Sequence, residues 1–352
     1  MSDESEVIVS RVGGLGRLTL NRPQALGALT TGMCVAMTDA LLDWRDDPDL
    51  ITVLIDHAGE RGFCGGGDIR MLAESAAGDG KAAMTFFHTE YRLNHLLGDY
   101  PKPIVTVMDG ITMGGGVGIA LPSRYRIATE RTRLAMPETG IGLFPDVGAG
   151  WFLPKLPGRI GLWMVLTGAR LQASDCKYTG LATEVVSSKD LPGLKAALAK
   201  EPDEVERIVQ ERHADLGPPP LIAQQGTIDR LFDGDSVEAV VAALEADGSA
   251  WAKEQLEILR PKSPLSSKVS FRLIAGGLAP ATLADDLVTE YRLAAHVAMQ
   301  PDFREGVRAV IVDKDNAPVW NPATLAETSD ALIDEMFAAL PAGEEWSPLP
   351  TA

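Results

Sequence analysis

Two periods of hydrophobic and polar positions run along this chain, and the longer one takes over after residue 190. Val7–Val12 is apolar and β-branched, Gly13-Gly14 interrupts it, and Leu15–Leu20 resumes with Leu18 and Leu20 two apart. A period of two on either side of a glycine pair predicts a hairpin. Thr30-Thr31 offers N-caps for a helix to about Trp44, with Met33, Met37, Leu41 and Leu42 at helical spacing. Ile51–Ile55 reads as a short buried strand, Gly62–Gly67 as a glycine-rich turn, and Asp68 as the head of a helix. Lys81–Leu97 is a long helix stopped by Pro101-Lys102-Pro103, and Ile104–Met108 is the next buried strand. Gly114-Gly115-Gly116 leads into Val117–Leu121. Strands follow at Arg124–Ala128 and Leu134–Met136, then a helix over Trp151–Leu166 broken at Pro154 and Pro157. Leu181–Val186 closes the region.

Strand, helix and glycine-turn units at irregular spacing predict an α/β fold. Beyond 190 strand-like runs fade, and amphipathic helical stretches dominate at Leu194–Ala199, Glu204–His213, Ser236–Leu259 and Leu283–Met299. Gly217-Pro218-Pro219-Pro220 is a stiff linker. The expected organisation is an α/β core over 1–190 and an α-helical C-terminal region over 191–352, acting as a lid, in oligomerisation, or both. Trp163 and Trp320 are expected in core packing rather than at an interface.

Composition narrows the function. The chain has 352 residues, 45% hydrophobic and 23% charged, as a globular protein should. Its formal charge of −17 repels a phosphate backbone, so nucleic acid is not an expected partner, whereas a small anion held by local cations is compatible. Three widely spaced cysteines (Cys34, Cys64, Cys176) and five scattered histidines offer neither a disulfide framework nor zinc spacing, so no metal is expected. The stretch Ile104 to Pro122 is nearly uncharged, but it is rich in Gly and Thr and contains Asp109. It reads as buried strand and turn, and no membrane association is expected. The opening MSDESEVIVS is acidic and lacks the order of a signal peptide, so the expected location is cytoplasmic. Serine-hydrolase elbows, a Walker A loop, a G-x-G-x-x-G fingerprint, H-E-x-x-H and C-x-x-C do not occur.

Three clusters could carry chemistry. In Arg61-Gly62-Phe63-Cys64-Gly65-Gly66-Gly67-Asp68-Ile69, small residues let backbone N–H groups point at a ligand oxygen, although a tight turn packed on a sheet has the same composition. Asp109-Gly110-Ile111-Thr112-Met113-Gly114-Gly115-Gly116-Val117-Gly118 repeats the arrangement. Two such turns suggest two amides converging on one oxygen, while close helix–sheet packing also demands glycine. In Met136-Pro137-Glu138-Thr139-Gly140-Ile141-Gly142-Leu143-Phe144-Pro145-Asp146-Val147-Gly148, two carboxylates sit in an apolar segment, where burial would raise their pKa and suit them to acid/base or nucleophilic work.

Taken in order, these clusters resemble the crotonase (enoyl-CoA hydratase/isomerase) superfamily. The resemblance rests on Asn21-Arg22-Pro23 with Ala25-Leu26, on Phe63–Ile69, on Pro101-Lys102-Pro103 with Gly114-Gly115-Gly116, and on Pro137-Glu138 with Gly142; it covers about residues 5–190. It implies a crotonase-like spiral of ββα units. It also implies an acyl-CoA substrate with no further cofactor, and a homo-oligomer, either trimer or hexamer. Its oxyanion hole maps to the amides of Gly67 and Gly115, and its CoA contacts map to the chain around Gln24, Ala25 and Leu26 and around Gly65, Gly66 and Asp68. Of the two glutamates of a hydratase, the second matches Glu138 and the first falls on Gly118, which cannot transfer a proton. Pro-Glu-Thr-x-Ile-Gly-Leu-Phe-Pro-Asp-Val-Gly resembles the 3-hydroxyisobutyryl-CoA hydrolase branch. So do Ser263-Pro264-Leu265-Ser266, Asp302–Ala309 and Asp313-Lys314-Asp315.

That branch implies thioester hydrolysis of a short β-hydroxyacyl-CoA in valine catabolism. Glu138 would be nucleophile or base, Asp146 would orient hydroxyl or water, and Glu90 would meet the hydroxyl end of the substrate. Substrate contacts are thus expected from Glu90, Gly115, Glu138 and Asp146. Cations for the CoA phosphates are sought at Arg22, Arg61 and Arg70. A hydratase or isomerase of the same fold, and a non-catalytic acyl-CoA-binding protein, remain open.

Overall fold

The computed structural model describes residues 5–350. Strands β1 (Val7–Val12) and β2 (Leu15–Leu20) form the expected hairpin, turned at Gly13 with φ +59°. The remaining strands are β3 (Thr52–His57), β4 (Gly62–Cys64), β5 (Ile104–Met108), β6 (Ile111–Met113), β7 (Tyr125–Ala128), β8 (Arg133–Ala135), β9 (Leu171–Gln172) and β10 (Glu184–Val185). They build a six-stranded sheet in the order β1-β2-β3-β5-β7-β10 and a four-stranded sheet in the order β4-β6-β8-β9. The pairs β3–β4, β5–β6 and β7–β8 each place one strand in each sheet before the chain leaves for a helix. This is the ββα spiral. Its inner pairings are parallel, and among the strands of the described residues only β1–β2 and β8–β9 are antiparallel.

The helices of the spiral are α1 (Thr31–Arg45), α2 (Ile69–Ala76), α3 (Lys81–Gly98), α4 (Gly115–Ala120), α5 (Ala149–Phe152), α6 (Ile160–Thr167) and α7 (Ala173–Thr179). Thr30 accepts the Met33 amide and Asp68 the Met71 amide, so the caps read from the sequence start α1 and α2. Two glycine-rich stretches read as turns contain short strands, β4 and β6. Gly62 serves the sheet here, because a Cβ on it would lie under 3.0 Å from Ile111 on the neighbouring strand.

The region after 190 is helical: α8 (Leu191–Lys200), α9 (Val205–Gln210), α10 (Ile222–Leu231), α11 (Val237–Asp247), α12 (Ala250–Leu259), α13 (Pro264–Ala275), α14 (Leu283–Val297), α15 (Pro301–Val307) and α16 (Asp330–Met336). The single run expected over Ser236–Leu259 is two helices. Gly248 turns left-handed at φ +61°, and Ser249 then caps α12 by accepting the Ala252 amide. Alternation along β3 shows why the sheet needs this region. Val53 and Ile55 face the main core, while Leu54 faces a second cluster closed by Leu191, Leu194 and Leu198 of α8 and by Val205, Ile208 and Val209 of α9. Trp163 and Trp320 are core residues, their indole N–H groups donating to Gln255 Oε1 at 2.8 Å and to the Pro261 carbonyl at 2.9 Å. No helix of the described residues is long and apolar enough to cross a membrane.

Candidate active site

The two glycine runs meet. Leu29 N–H donates to the Gly66 carbonyl at 2.8 Å, and the Asp68 amide donates to the Leu29 carbonyl at 2.9 Å. In this parallel bridge the peptide groups on either side of Gly67 are spent on Leu29, so the Gly67 amide points the other way. Gly66, at φ +109°, lies against the second run, since a Cβ built on it would sit 3.6 Å from Gly115 N. Gly114 has φ +49° and ψ −124°, a conformation that a side chain would strain, and it delivers Gly115 as the first residue of α4. Gly115 has a further reason to be glycine: a Cβ there would lie under 3.0 Å from Glu90 Oε1.

A cavity of about 540 Å³ opens over these backbones. Gly65, Gly66, Gly67, Gly114 and Gly115 form one side, and Glu90, Glu138 and Asp146 reach it from three different elements. The helical region closes it with Pro261, Lys262, Val310, Ile311, Asn316 and Pro318. The three carboxylates are only 2%, 6% and 5% exposed, respectively. Glu90 comes from α3, where the helix pattern alone would have allowed a surface position. Glu138 opens a 3₁₀ turn, Glu138–Ile141, ended by left-handed Gly142. Thr139 pins that turn twice, by its hydroxyl to the Val165 carbonyl at 3.2 Å and by its own carbonyl accepting Ser263 N–H at 3.1 Å.

The C-terminal motifs converge behind the same turn. Ser263 Oγ donates to Asp302 Oδ2 at 2.6 Å, and a Cβ on Gly142 or Gly306 would overlap the backbone of Asp302 or Ile141. Arg308 pairs with Glu305, Asp313 and Asp315 and braces the π-helical turn Arg308–Val312, part of which lines the cavity.

Burial in an apolar setting disfavours the charged form of an acid. It pushes the carboxyls of Glu90 and Glu138 well above the ordinary range, and repulsion from Asp146 adds to both. Asp146 is pushed up to about 6 by burial, against the opposing hydrogen bond from Tyr91. Tyr91 O–H donates to Asp146 Oδ2 at 2.9 Å. Among the described residues, Glu90 Oε1 and Glu138 Oε2 are buried with no hydrogen-bond partner. Native proteins rarely leave such atoms unpaired, so these two mark where ligand groups belong.

Asp146 is held from behind as well. Val147 is left-handed at φ +58°, and fully buried Glu290 of α14 accepts the Gly148 amide at 2.7 Å and the Gly150 amide at 3.2 Å. Replacing Glu290 by Ala orphans both amides. The variant should lose about 3 kcal/mol of stability by chemical denaturation at neutral pH; an unchanged midpoint would show that the turn holds itself.

The positions implied for CoA are less uniform. Leu26 and Gly65 line a second cavity of about 650 Å³ that shares Gly65, Met113 and Arg170 with the first. Gln24 is exposed and Ala25 half-buried; neither lines either cavity. The Asp68 side chain caps α2 and accepts Arg22 at 3.2 Å. Arg22 also pairs with Glu6 and donates to the Ala28 carbonyl, so it is committed to its own loop rather than to a phosphate. Arg70 donates to the Ile311 carbonyl at 3.1 Å and ties α2 to the π-helical turn, while Arg61 is exposed and lines neither cavity. The cations that do line the cavities are Arg133, Arg170 and Lys262. The sequence reading missed these, along with Tyr91 and Glu290. No local signal marked them, apart from Tyr91 standing beside Glu90. No group of three or more His, Cys, Asp or Glu among the described residues could hold a metal ion.

Comparison with known proteins bears out the fold. A family model described as enoyl-CoA hydratase/isomerase matches residues 15–337. The chain is 45% identical to the mitochondrial 3-hydroxyisobutyryl-CoA hydrolase of Danio rerio over 345 residues, 96% of this chain and 90% of that protein. It is 40% identical to the human protein of the same description, covering 95% and 89%. Among solved structures it resembles a carnitinyl-CoA dehydratase from Mycobacterium thermoresistibile, with 38% identity, a TM-score of 0.93 and coverage of 98% and 99%. It also resembles an enoyl-CoA hydratase from Rhodobacter sphaeroides, with 38% identity, a TM-score of 0.91 and coverage of 97% and 100%. The cytoplasmic location expected from the first residues does not stand, because these curated relatives are described as mitochondrial. Matched over residues 15–337 by that family model and along nearly its whole length by these relatives, the chain, with its two meeting glycine runs and buried Pro-Glu corner on one cavity, belongs to the enoyl-CoA hydratase/isomerase family.

Proposed function

We propose that this protein hydrolyses the thioester of 3-hydroxyisobutyryl-CoA, the substrate named in its curated relatives. The observation that carries the reading is the pair of unpartnered buried oxygens, Glu90 Oε1 and Glu138 Oε2, on the same cavity as the two glycine runs. In this reading the amides of Gly67 and Gly115 donate to the thioester oxygen and hold it as negative charge develops there. Glu138 sits beside the carbonyl carbon. Either its carboxylate attacks, forming an anhydride and expelling CoA thiolate before water cleaves the anhydride, or it takes a proton from water as the water oxygen bonds to that carbon. In both routes the C–S bond breaks, the sulfur leaves as thiolate and takes a proton, and the free hydroxy acid departs. Asp146, steadied by Tyr91, orients the water or the substrate hydroxyl, and Glu90 hydrogen-bonds the substrate hydroxyl, which stays protonated.

The CoA arm runs past Gly65 and Met113 into the second cavity, toward Arg133 and Arg170. That direction supports contacts to the Leu26 and Gly65 backbones. Assembly as a trimer or hexamer, and a place in valine breakdown, belong to the same proposal; light scattering tests the first.

Hydration of an enoyl-CoA is the second reading, favoured by the descriptions of the two solved relatives. Gly118 weighs against it. It stands where a hydratase carries its first glutamate, and a Cβ there would lie under 3.0 Å from Val147.

The test is release of free thiol from 3-hydroxyisobutyryl-CoA, from isobutyryl-CoA, which lacks the hydroxyl, and from crotonyl-CoA, with hydration of the last followed in parallel. A site built to bond a hydroxyl rejects the analogue lacking it, so kcat/KM should favour the hydroxy substrate by about 100-fold or more. Faster hydration of crotonyl-CoA than thiol release from 3-hydroxyisobutyryl-CoA would overturn the proposal.

A further inference from the structure

The cavity holds three buried carboxylates, and the reaction needs one of them ionised. Glu138 is faced by Asp146 from the turn that follows it, by Glu90 from α3, by Arg170 from the segment before β9, and by Lys262 from the segment before α13. Two of these four are acids that oppose a negative charge on Glu138. Of the two cations, Arg170 is exposed at the junction with the second cavity, whereas Lys262 is half-buried within the first.

The Lys262 side chain has a prepared seat. Its Nζ lies over Gly140 and Gly168, 3.2 Å and 3.5 Å from where their Cβ atoms would be; glycine at 140 gives the ammonium room, and a Cβ at 168 would be in ordinary contact with it. Gly140 belongs to the turn that Glu138 opens. The backbone on both sides of Lys262 is tied down: Ser263 N–H donates to the Thr139 carbonyl of that turn at 3.1 Å, and the Pro261 carbonyl accepts the Trp320 indole at 2.9 Å. The segment that carries Lys262 is therefore tied to the glutamate turn, and the ammonium lies over that turn.

We propose that Lys262 is a positioning residue for the reaction: seated over Gly140, its ammonium is the cation that holds the Glu138 carboxylate in its ionised, reactive form. The inference rests on the reading of Glu138 as nucleophile or base. It gives the C-terminal region a chemical task as well as a covering one. The electrostatics agree in sign. Lys262 opposes the upward push on Glu138, and Glu138 in turn opposes the downward push of burial on Lys262.

The experiment compares wild type with Lys262→Met, Lys262→Gln and Lys262→Arg on 3-hydroxyisobutyryl-CoA, measuring kcat and KM by thiol release from pH 5.5 to 9.5. Loss of a nearby cation raises a carboxyl pKa, so in both neutral variants the acid limb of the kcat profile should move up by about one pH unit. Turnover at pH 7 should fall about tenfold, partly recover at pH 9, and be restored by Arg. The Gln variant keeps the test open if Met disturbs folding. An unmoved acid limb with a higher KM would overturn the inference and make Lys262 a CoA-binding cation. An unmoved limb with both constants unchanged would also overturn it. Absence of thiol release by the wild-type protein is a separate outcome, and it defeats the proposed function itself.

Discussion

Glu138→Gln should lower kcat for thioester hydrolysis by about a thousandfold, the usual scale for removing a positioned acid–base group and equivalent to about 4 kcal/mol of barrier. The side chain keeps its size and its place on the turn pinned by Thr139, so KM should change little. A variant within a factor of a few of wild type would remove Glu138 from the chemistry. The same substitution carries a second, opposite signature. Folding raises the pKa of Glu138 above its value in the unfolded chain, mainly through burial. The stabilisation from its protonated form is therefore complete in acid and fades as pH rises toward the folded value. Gln is neutral throughout and escapes that decline. Denaturation midpoints should differ little near pH 4 and favour the variant increasingly as pH rises above the unfolded value of 4.5 toward the raised folded one. A protein that becomes more stable as it loses activity is expected where a buried charge is kept for function.

Gly118→Glu should not convert the protein into a hydratase, and it should destabilise the fold by about 3 kcal/mol or more. Position 118 lies inside α4, fully buried, and a Cβ there would be under 3.0 Å from Val147 Cβ and Cγ2. Overpacking of this kind costs roughly 1–3 kcal/mol, and a buried unpaired carboxylate adds to it. Val147 cannot easily retreat. It is left-handed, and the residues on either side of it are held by Tyr91 and Glu290. Thermal denaturation reads the stability, and crotonyl-CoA hydration reads the activity. Hydration at a rate comparable to thiol release in an undamaged fold would show that Gly118 alone separates the two chemistries. In the structure the Asp146-Val147 turn occupies the space that a side chain at 118 would use.

Much of the candidate site's grouping was legible in the residues. Gly67, Gly115, Glu138 and Asp146 were named together, and the structure brings them to one cavity with Glu90. Their signals are local runs that the family resemblance picks out: glycine runs in which the neighbours Gly66 and Gly114 take positive φ, and a Pro-Glu corner amid apolar residues. The cations that line the two cavities were not legible. Arg22 and Arg70 stood near the right motifs, but their charges are spent on Glu6, Asp68 and the Ile311 carbonyl. Proximity in sequence says nothing of which partner a guanidinium finds.

The amino-acid sequence by itself determined the hairpin, the caps of α1 and α2, the two glycine runs and the glycine at 118. The hairpin and the caps depend on period and capping within a few residues, and the glycines are read off directly, whereas the space they leave is filled by distant residues such as Val147 and Ile111. Only the tertiary structure decided that Glu90 is buried against Gly115 rather than solvated on a helix. It also decided that Glu290 braces the Asp146 turn, and that Lys262 arrives over the glutamate corner. Burial and electrostatic environment are set by segments far apart in the chain, and they exist only once those segments have packed.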